Sequence, residues 1–543
     1  MTDIDVAESI REGRTALGIE LGSTRIKACL VAADDPTRVL AVGGHEWENE
    51  FVDRRWTYSL EAVWSGLQAA YADLVADAQR RHGAAPSTFG AIGVSAMMHG
   101  YLAFDASGDL LVPFRTWRNT STGPAAAELS EAFGLNIPLR WSIAHLHQAV
   151  LDDEPHVRDI RFVTTLAGYV HWKLTDRKVL GVGDASGMFP IDAATRCSYD
   201  ETLMERYDLR VEGTALTAPL HRLLPEILIA GEPAGELTAA GAALLDPTGT
   251  LQPGIPFCPP EGDAGTGMVA TNAVAPRTGN VSAGTSIFAM VVLERPLASA
   301  HEEVDLVTTP AGDPVAMVHC NNGASELAAW VGLFERFAAV TGSPVARDAD
   351  AVFGALFAEA LEGEADAGGL IAYNHLAGEP IAGLDEGRPL VVRTPDSRLT
   401  LANFMRAQLY GVYGTLALGM RVLADEGVAI DRMFAHGGIF RTAGVAQRFL
   451  AGALDAPVAV GETASEGGAW GIAVLAAFLP HAIAINAGES RAADLGEYLD
   501  QRVFAGAAIE VAEPDAADVA GFAAYLDRYR AGLAAEAAAV GAL

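Results

Sequence analysis

Asp263 is the residue of this sequence whose setting points most directly to chemistry, because it lies in the glycine-containing segment Glu261–Gly267. Glycine lacks a Cβ and lets a ligand approach the backbone closely. A second such turn follows in Gly279–Ser286, where an apolar strand pattern enters and leaves a Gly-Thr-Ser turn. A carboxylate near a turn with free N–H groups suits proton transfer beside a phosphorylated ligand. Each segment alone also fits an ordinary surface turn, since short motifs have many false positives.

The second turn has a counterpart near the N-terminus, in Gly18–Val31. At an offset of 262 residues (284 minus 22), the turn residues Gly22, Ser23 and Thr24 fall on Gly284, Thr285 and Ser286. The alternation of the following strand agrees, with Ile26, Ala28 and Leu30 falling on Phe288, Met290 and Val292. The offset is about half of the chain. We therefore expect a duplicated fold in which two hairpin turns bind one polyphosphate.

Two glycine pairs and a methionine–histidine pair complete the candidate site. Gly437-Gly438 follows a short strand pattern, and Gly467-Gly468 precedes an apolar helix pattern, so both could leave bare backbone for an adenine ring. Met98-His99 follows a buried strand, where α/β sheets place ligand-binding groups. Singly, the glycine pairs are typical of helix-entry turns and the histidine of a hydrogen-bonded core residue. Their joint occurrence around a repeated hairpin favours function.

Charge and cysteine content exclude several classes of partner. The chain of 543 residues has 69 acidic and 37 basic residues, a net charge of −32. Such a surface repels nucleic acid and anionic membrane. The cysteines Cys29, Cys197, Cys258 and Cys320 show no paired metal-ligand spacing and predict reduced thiols. No export signal is visible, and the most apolar helix pattern, residues 471–479, stops at Pro480, so we expect a core helix in a cytoplasmic protein.

Hydrophobic periodicity predicts an alternation of strands and helices, which is typical of an α/β fold. Strands are expected over 39–46, 89–95, 101–105, 434–436 and 457–460, besides the two hairpins. Helices are expected over 59–81, 125–133, 143–151, 166–174, 326–340, 401–424, 443–454 and 516–540. Ser59 and Gly134 have the residue types of an N-cap and a C-terminal cap. Residues 181–187 are expected to form a loop.

Over residues 15–480 the chain resembles the FGGY carbohydrate kinases, and within them the xylulokinases of a bifidobacterial-type branch. The resemblance lies in Gly18–Lys27, Met98–Gly100, Glu261–Gly267, Gly279–Ser286 and Gly437-Gly438 with Gly467–Gly471. It implies a duplicated ribonuclease H-like (actin/hexokinase-like) α/β fold of two domains with a cleft between them. The domains would be residues 1–265, carrying the sugar site and first phosphate loop, and 266–485, carrying the second phosphate loop and adenosine site. Residues 486–543 would form a helical tail packed on the body.

The resemblance also implies roles for individual residues. Asp263 would be the general base and would also contact substrate and metal, and Met98, His99, Trp117 and Asn119 would line the sugar. ATP would be bound by Gly22, Ser23, Thr24, Lys27, Gly284, Thr285, Ser286, Gly437, Gly438, Gly467 and Gly468. Mg²⁺ would be positioned by Glu20 and Asp263. Such kinases are often homodimers, and their partners are otherwise the sugar and ATP.

The sequence departs from the family pattern at three places. Glu20 stands where the family usually carries Asp, so its carboxylate reaches one methylene farther. Trp117-Arg118-Asn119 stands where a Trp-Asn-Asp-like segment is usual, so an amide replaces the acid and Arg118 could brace the loop. Asp184 lies in a loop near the substrate by resemblance, but a turn-stabilising role is nearly as well supported.

We therefore predict an ATP-dependent kinase of a ketopentose, D-xylulose first. Alternatives within the class are kinases of ribulose, another pentulose, erythritol or glycerol. A different class is a non-kinase actin-like ATPase or a sugar-responsive regulator. A regulator would not need Asp263 and the glycines, and a chaperone-like ATPase would need a peptide-binding domain that the tail after Arg491 is too short to supply.

Overall fold

The protein is described by a computed structural model over residues 3–442, 444–461, 467–488 and 493–542. It divides into two compact units. The first comprises Met1–Val274, Leu306–Val315 and Thr463–Gly506. The second comprises Ala275–Asp305, Ala316–Glu462 and Ala507–Leu543. Each unit is therefore assembled from segments that are distant in sequence.

Within these residues the strands are β1 (Thr15–Leu21), β2 (Arg25–Ala32), β3 (Val39–Glu46), β4 (Glu50–Val52), β5 (Arg55–Thr57), β6 (Ala91–Ala96), β7 (Leu102–Phe104), β8 (Phe162–Thr164), β9 (Val179–Gly181), β10 (Glu226–Leu228), β11 (Glu261–Gly262), β12 (Thr278–Ala283), β13 (Ile287–Val292), β14 (Asp305–Thr308), β15 (Pro314–Cys320), β16 (Ile371–Tyr373), β17 (Leu390–Val392), β18 (Arg432–Gly437), β19 (Val458–Gly461) and β20 (Ile509–Ala512).

The α-helices are α1 (Asp3–Arg11), α2 (Leu60–His82), α3 (Gly123–Phe133), α4 (Ser142–Leu151), α5 (Leu166–Thr175), α6 (Val182–Ala185), α7 (Glu201–Arg210), α8 (Ala239–Leu245), α9 (Asp263–Ala270), α10 (Ser325–Val340), α11 (Ala349–Leu361), α12 (Leu401–Asp425), α13 (Val445–Leu454), α14 (Gly468–Gly488), α15 (Leu495–Tyr498) and α16 (Ala516–Ala542).

The first unit is built on a five-stranded sheet in the order β11-β6-β1-β2-β3. β1, β2 and β3 form an antiparallel meander, and β6 and β11 add parallel to β1. All residues of β6 are buried, as its continuous apolar run predicts. The helix α2 packs on β2 and β3, and its predicted N-cap Ser59 accepts a hydrogen bond from the N–H of Ala62 at 3.1 Å.

Helix α14 packs against β1 and β6, so it is part of the first unit. Glycines make this approach possible, because a Cβ on Gly18 would lie 2.2 Å from the Ala469 carbonyl oxygen. A Cβ on Gly471 would likewise lie 2.1 Å from the Thr266 carbonyl oxygen. The sequence assigned this helix to residues 266–485 as a contiguous domain. In the structure it packs on the N-terminal strands and belongs to the first compact unit.

Helix α14 continues through Pro480 to Gly488, whereas the sequence predicted an end at that proline. Pro480 is exposed. A proline in a helix removes one backbone N–H donor. Pro480 lies on the exposed side of the helix, where the chain continues without that hydrogen bond. Gly468–Ala487 is long and apolar enough to cross a membrane by composition, but 72% of that stretch is buried inside the protein. It is therefore packed as a core helix.

The second unit contains most of a seven-stranded sheet in the order β14-β15-β13-β12-β18-β19-β20. The long helix α12 is almost entirely buried, and the C-terminal helix α16 packs on α12 and α13. Inside this contact the His375 ring and the Glu536 carboxylate are both fully buried and lie 2.9 Å apart. The tail therefore contributes to both units, since residues up to Gly506 belong to the first and later ones to the second.

Candidate active site

Asp263 is the first residue of α9 and follows β11 directly. β11 lies parallel to β6, with Gly262 opposite Ala96. The carboxyl ends of the two strands therefore lie side by side, at the edge where α/β sheets place ligand-binding groups. The register brings Asp263 beside Met98, whose N–H donates a hydrogen bond of 3.1 Å to Asp263 Oδ1.

The Asp263 carboxylate is half-buried. Loss of hydration raises the pKa of Asp263, while hydrogen bonds from the N–H groups of Met98 and Ala264 act in the opposite direction. A raised pKa makes a carboxylate a better proton acceptor at a given geometry. The group is therefore suited to accept a proton from a hydroxyl held at this strand edge.

Met98 and His99 follow β6 and are both buried. His99 has a φ of 72°, in the left-handed region that is unfavourable for residues with a Cβ and often marks functional sites. His99 Nδ1 lies 3.3 Å from the Gly187 carbonyl oxygen. A Cβ on Gly187 would lie 2.5 Å from that nitrogen and 2.8 Å from Met98 Cε. The structure thus brings together Met98, His99 and Asp263.

Glu261 is a buried acid whose role the sequence did not indicate. Its carboxylate accepts hydrogen bonds from the N–H groups of Gly183 at 3.3 Å and Asp184 at 2.9 Å. The first N–H groups of a helix have no partner within the helix, and here Glu261 accepts two of them. This explains why residues 182–185 form α6 and not the expected loop. Burial, with a further contribution from Asp184, raises the pKa of Glu261 to about 8.

Asp184 is the second acid of this buried pair. Burial raises the pKa of Asp184 to about 7, against a hydrogen bond of 2.6 Å from the Thr165 hydroxyl to Oδ2, and the charge of Asp263 adds to the rise. Among the described residues, Asp184 Oδ1 has no hydrogen-bond partner. A Cβ on Gly262 would lie 3.2 Å from that oxygen. Asp184 therefore packs directly against the residue that precedes Asp263.

The amide of Asn119 is bonded to the protein's own backbone. Its Oδ1 accepts from the Trp56 N–H at 2.8 Å, and its Nδ2 donates to the carbonyl oxygens of Trp56 at 2.9 Å and Thr116 at 3.0 Å. Trp117 is half-buried and packs against the core of the first unit. The guanidinium of Arg118 lies 4.1 Å from the centre of the Trp56 ring, as expected of a bracing residue. The predicted sugar contact of Asn119 thus competes with three internal bonds.

The carbonyl oxygens of the first hairpin turn all accept hydrogen bonds from the protein. Trp47 Nε1 donates to Gly22 at 2.7 Å, the Tyr58 hydroxyl to Ser23 at 2.6 Å, and the Trp47 N–H to Thr24 at 3.1 Å. The rings of Trp47 and Tyr58 stack at 4.2 Å. The Gly22 N–H closes the hairpin by donating to the Arg25 carbonyl oxygen at 3.1 Å. The N–H groups and hydroxyls of Ser23 and Thr24 are therefore the turn groups that suit an anion.

The second hairpin turn, in the second unit, has the same property. The carbonyl oxygen of Gly284 accepts from the Ala324 N–H at 2.8 Å, and that of Thr285 accepts from the Gly323 N–H at 2.7 Å. The carbonyl oxygen of Ser286 accepts from the Gly284 N–H at 2.9 Å. Sequence reasoning assigned no role to Gly323 or Ala324. Only their glycine-containing loop before a helix could have pointed to them. In both turns the carbonyl oxygens are therefore bonded within the protein.

The two hairpins differ in register by one residue. Leu21 pairs with Ile26 in the first hairpin, whereas Ala283 pairs with Ile287 in the second, so the second turn is one residue shorter. Because side chains alternate between faces, this shift exchanges the faces of the following strand. Ile287, fully buried like Ile26, takes the core position that the offset assigned to Phe288. The duplication is confirmed, but the predicted strand equivalence is wrong.

The structure places Glu20 at the start of α14. Its Oε2 lies 3.9 Å from Lys27 Nζ on the neighbouring strand. A Cβ on Gly468 would lie 2.2 Å from Glu20 Oε1 and 3.0 Å from Thr266 Oγ1. Gly468 therefore packs on the carboxylate, while Gly467, with a φ of 52°, has open space at its Cβ position. Glu466, which precedes this glycine pair in the sequence, lies outside the described residues.

The other glycine pair lies in the second unit. Gly437 ends β18 opposite Ala283, with a φ of 122°, and its Cβ would lie 2.0 Å from the Ala283 carbonyl oxygen. Gly438 has open space at the same position. The residues predicted to bind the nucleotide thus fall into two groups. One surrounds Gly22–Thr24 in the first unit, and the other surrounds Gly284–Ser286 in the second.

The two carboxylates predicted to hold magnesium, those of Glu20 and Asp263, both belong to the first unit. Mg²⁺ usually takes one or two protein carboxylates and fills its remaining positions with water and substrate phosphate. Among the described residues no group of three His, Cys, Asp or Glu side chains forms a closed metal site. The Thr266 hydroxyl donates to the Asp263 carbonyl oxygen at 3.2 Å, and a Cβ on Gly468 would lie close to both Thr266 Oγ1 and Glu20 Oε1. Glu20 and Asp263 would supply the carboxylate oxygens that Mg²⁺ prefers, and they stay the predicted ligands.

The chain matches two sequence profiles of one family. Residues 15–270 match the N-terminal domain, and residues 279–479 the C-terminal domain, of the FGGY family of carbohydrate kinases. A search of curated protein sequences finds no match.

The fold is similar to several solved structures. A xyloylose kinase from Brucella ovis has 20% identity and a TM-score of 0.75, covering 96% of this chain and 99% of that one. A xylulose kinase from Rhodospirillum rubrum has 22% identity and a TM-score of 0.74 over the same shares. A gluconate kinase from Lactobacillus acidophilus has 16% identity and a TM-score of 0.73, also over 96% and 99%.

These structural similarities establish the fold. It is the duplicated actin/hexokinase-like α/β fold that the resemblance implied, and the two hairpins had predicted its duplication. The two profiles together cover most of the chain. The chain therefore belongs to the FGGY family of carbohydrate kinases and is a sugar phosphotransferase.

Proposed function

We propose that this kinase transfers the γ-phosphoryl group of ATP to a ketopentose, and that its preferred substrate is D-xylulose. The observation that carries the proposal is the carboxylate of Asp263, which has a raised pKa and lies beside Met98 and His99 at the ends of parallel strands. The choice of D-xylulose is supported by two of the similar structures, which are xylulose kinases. A cytoplasmic location, where ATP is available, goes with this proposal.

In the proposed reaction, Asp263 accepts the proton of a terminal sugar hydroxyl. The hydroxyl oxygen forms a bond to the γ-phosphorus as the bond from that phosphorus to the bridging oxygen of ADP breaks. The N–H group of Met98 holds Asp263 Oδ1 in place, so the carboxylate needs little reorganisation. His99 is fixed by its contact with Gly187, which suits a residue that positions a sugar.

In the turns Gly22–Thr24 and Gly284–Ser286, the N–H groups and hydroxyls of Ser23, Thr24, Thr285 and Ser286 are proposed to bind the phosphates of ATP. Both turns have their carbonyl oxygens bonded to protein donors, which removes a source of repulsion for an anion. Lys27 would supply a positive charge next to the first turn. Mg²⁺, when bound near Glu20 and Asp263, supplies charge neutralisation for the phosphates.

The test is ADP production from ATP and Mg²⁺ with D-xylulose, D- and L-ribulose, L-xylulose, erythritol, glycerol and gluconate. Stimulation by D-xylulose well above the other compounds is the expected result. Asp263→Asn measured in parallel separates sugar-dependent turnover from contaminating ATPase activity.

Preference for another compound in this set would retain the kinase mechanism and overturn the substrate assignment. Gluconate is included because one similar structure is a gluconate kinase. If no sugar stimulated ADP production while the protein bound ATP, the proposed substrate class would be wrong and a regulatory function would be favoured.

A further inference from the structure

We propose that Asn119 and Tyr58 form a link by which the loop 116–119 positions the first hairpin turn, so that Asn119 is a positioning residue for the nucleotide. This inference rests on the proposed function, because it takes Gly22–Thr24 to bind ATP phosphates. It assigns a role to the segment 56–58, which none of the motifs includes. All residues of the link lie in the first unit.

The first part of the link is the hold of Asn119 on Trp56. Asn119 is 5% exposed, and its amide bonds both the N–H and the carbonyl oxygen of Trp56, at 2.8 and 2.9 Å. An amide that bonds both backbone groups of one residue fixes the position of that residue, as a neighbouring strand would. Thr116 adds a third bond, from its N–H to the Trp56 carbonyl oxygen at 3.3 Å.

Arg118 strengthens the same contact from the other side. Its guanidinium lies 4.1 Å from the centre of the Trp56 ring, which is within the range of a cation–π interaction. Residues 116–119 therefore hold the backbone and the side chain of Trp56 at once. No part of this arrangement needs a bound sugar.

The second part of the link is the hold of Tyr58 on the turn. Tyr58 is 2% exposed, and its hydroxyl donates to the Ser23 carbonyl oxygen at 2.6 Å. Its ring stacks on Trp47, which bonds the carbonyl oxygens of Gly22 and Thr24. Trp56 and Tyr58 are two residues apart in extended backbone, about 7 Å at the usual rise per residue. A displacement of Trp56 is therefore transmitted to the turn over a short and buried path.

The link predicts a specific division of kinetic effects. Removal of a side chain that contacts the sugar raises the KM for sugar. Removal of a side chain that positions the hairpin turn weakens nucleotide binding instead. We expect Asn119→Ala and Tyr58→Phe each to raise the Kd of Mg²⁺–ATP, measured calorimetrically without sugar, by about fivefold, the value of one hydrogen bond. The KM for the sugar is expected to change by less than twofold.

The double variant distinguishes a link from two independent defects. If both residues act on the same turn, the double variant raises the Kd of Mg²⁺–ATP by about as much as one single variant. A product of the two single effects, about 25-fold on the same scale, would overturn the link. Tyr169→Phe is the matched control, because it removes a buried tyrosine hydroxyl that bonds Trp64 at 3.0 Å in the same unit. It is expected to leave the Kd of ATP unchanged.

Other outcomes have distinct meanings. An Asn119→Ala variant with an unchanged Kd for ATP and a raised KM for sugar would overturn the inference and return Asn119 to the sugar site. If Asn119→Ala lacked a thermal unfolding transition and so failed to fold, Tyr58→Phe alone would decide. An unchanged Kd for ATP in Tyr58→Phe would refute the proposed effect of its bond to Ser23 on nucleotide binding. A wild-type protein that does not bind Mg²⁺–ATP would refute the proposed function itself.

Discussion

The N–H group of Asp184 donates a hydrogen bond of 2.9 Å to the buried carboxylate of Glu261, so two acidic residues share one buried site next to the proposed base. Burial raises the pKa of both groups, the charge of Asp184 adds to the rise at Glu261, and the charge of Asp263 adds to the rise at Asp184. Their pKa values are raised to about 8 for Glu261 and about 7 for Asp184. The pair therefore makes the free energy of unfolding fall as pH rises, whereas a salt-bridged acid makes it rise.

We expect the free energy of unfolding to fall as pH rises from about 4 to 8. An acid whose pKa is raised by folding holds its proton more tightly in the folded protein, so the folded state binds more protons between the ordinary range near pH 4 and the raised values. This contribution to stability is fully present below about pH 4 and is lost once the pH has risen through the folded-state pKa values of about 7 and 8. Thermal unfolding at half-unit steps of pH measures this slope.

Glu261→Gln tests the origin of that slope. The variant has no group to ionise at position 261, so its midpoint should change less between about pH 5 and 8 than that of the wild type, even if it is lower throughout. Glu294→Gln, at an exposed site, is the control and should retain the wild-type slope. An unaltered slope in Glu261→Gln would show that the pair is not responsible.

Asp263→Asn should abolish most turnover and retain sugar binding. The amide keeps the size of the side chain but cannot accept a proton, and a positioned base contributes roughly 10²–10⁴-fold to the rate. The Oδ1 atom can still accept the Met98 N–H, so the local structure should persist. Steady-state turnover and calorimetric sugar binding give the two values. Turnover within a few-fold of the wild type would remove Asp263 from the role of base.

Gly323→Ala should weaken nucleotide binding through the second hairpin turn. A Cβ on Gly323 would lie 2.4 Å from the Gly284 carbonyl oxygen, so the turn must move to admit it. We expect the KM for ATP to rise at least about tenfold, the effect of losing more than one bond to phosphate, with the KM for sugar unchanged. Gly332→Ala on the exposed face of α10, where no atom lies within 4 Å, is the matched control. Equal effects of the two variants would contradict the assignment.

Glu536→Ala should destabilise the second unit strongly. It leaves the buried His375 ring without its partner at 2.9 Å, and removal of one member of a buried pair typically costs about 3–5 kcal/mol. Asp527 lies on α16 like Glu536, is exposed and pairs with Arg421 of α12. Asp527→Ala should therefore lower the free energy of unfolding by only about 0–1 kcal/mol. Chemical denaturation of both variants measures the difference. Similar small losses would show that α16 is not held by this pair.

Sequence alone determined the features that depend on local pattern. The two glycine turns, the apolar strand before Met98-His99 and the N-cap at Ser59 were predicted because turn chemistry and side-chain periodicity are properties of short segments. The duplication followed in the same way, since the two hairpins repeat one local pattern. These features sufficed to identify the family and the fold.

Tertiary structure decided the features that depend on contacts between distant segments. The bond from Met98 to Asp263 joins residues 165 positions apart, and the close packing of Gly18 on Ala469 places α14 in the first unit. The one-residue difference between the hairpin registers is set by how each turn closes against its neighbours. The bonds of the Asn119 amide and the pairing of Glu261 with Asp184 likewise depend on the partners that burial brings within reach, and no local pattern encodes them.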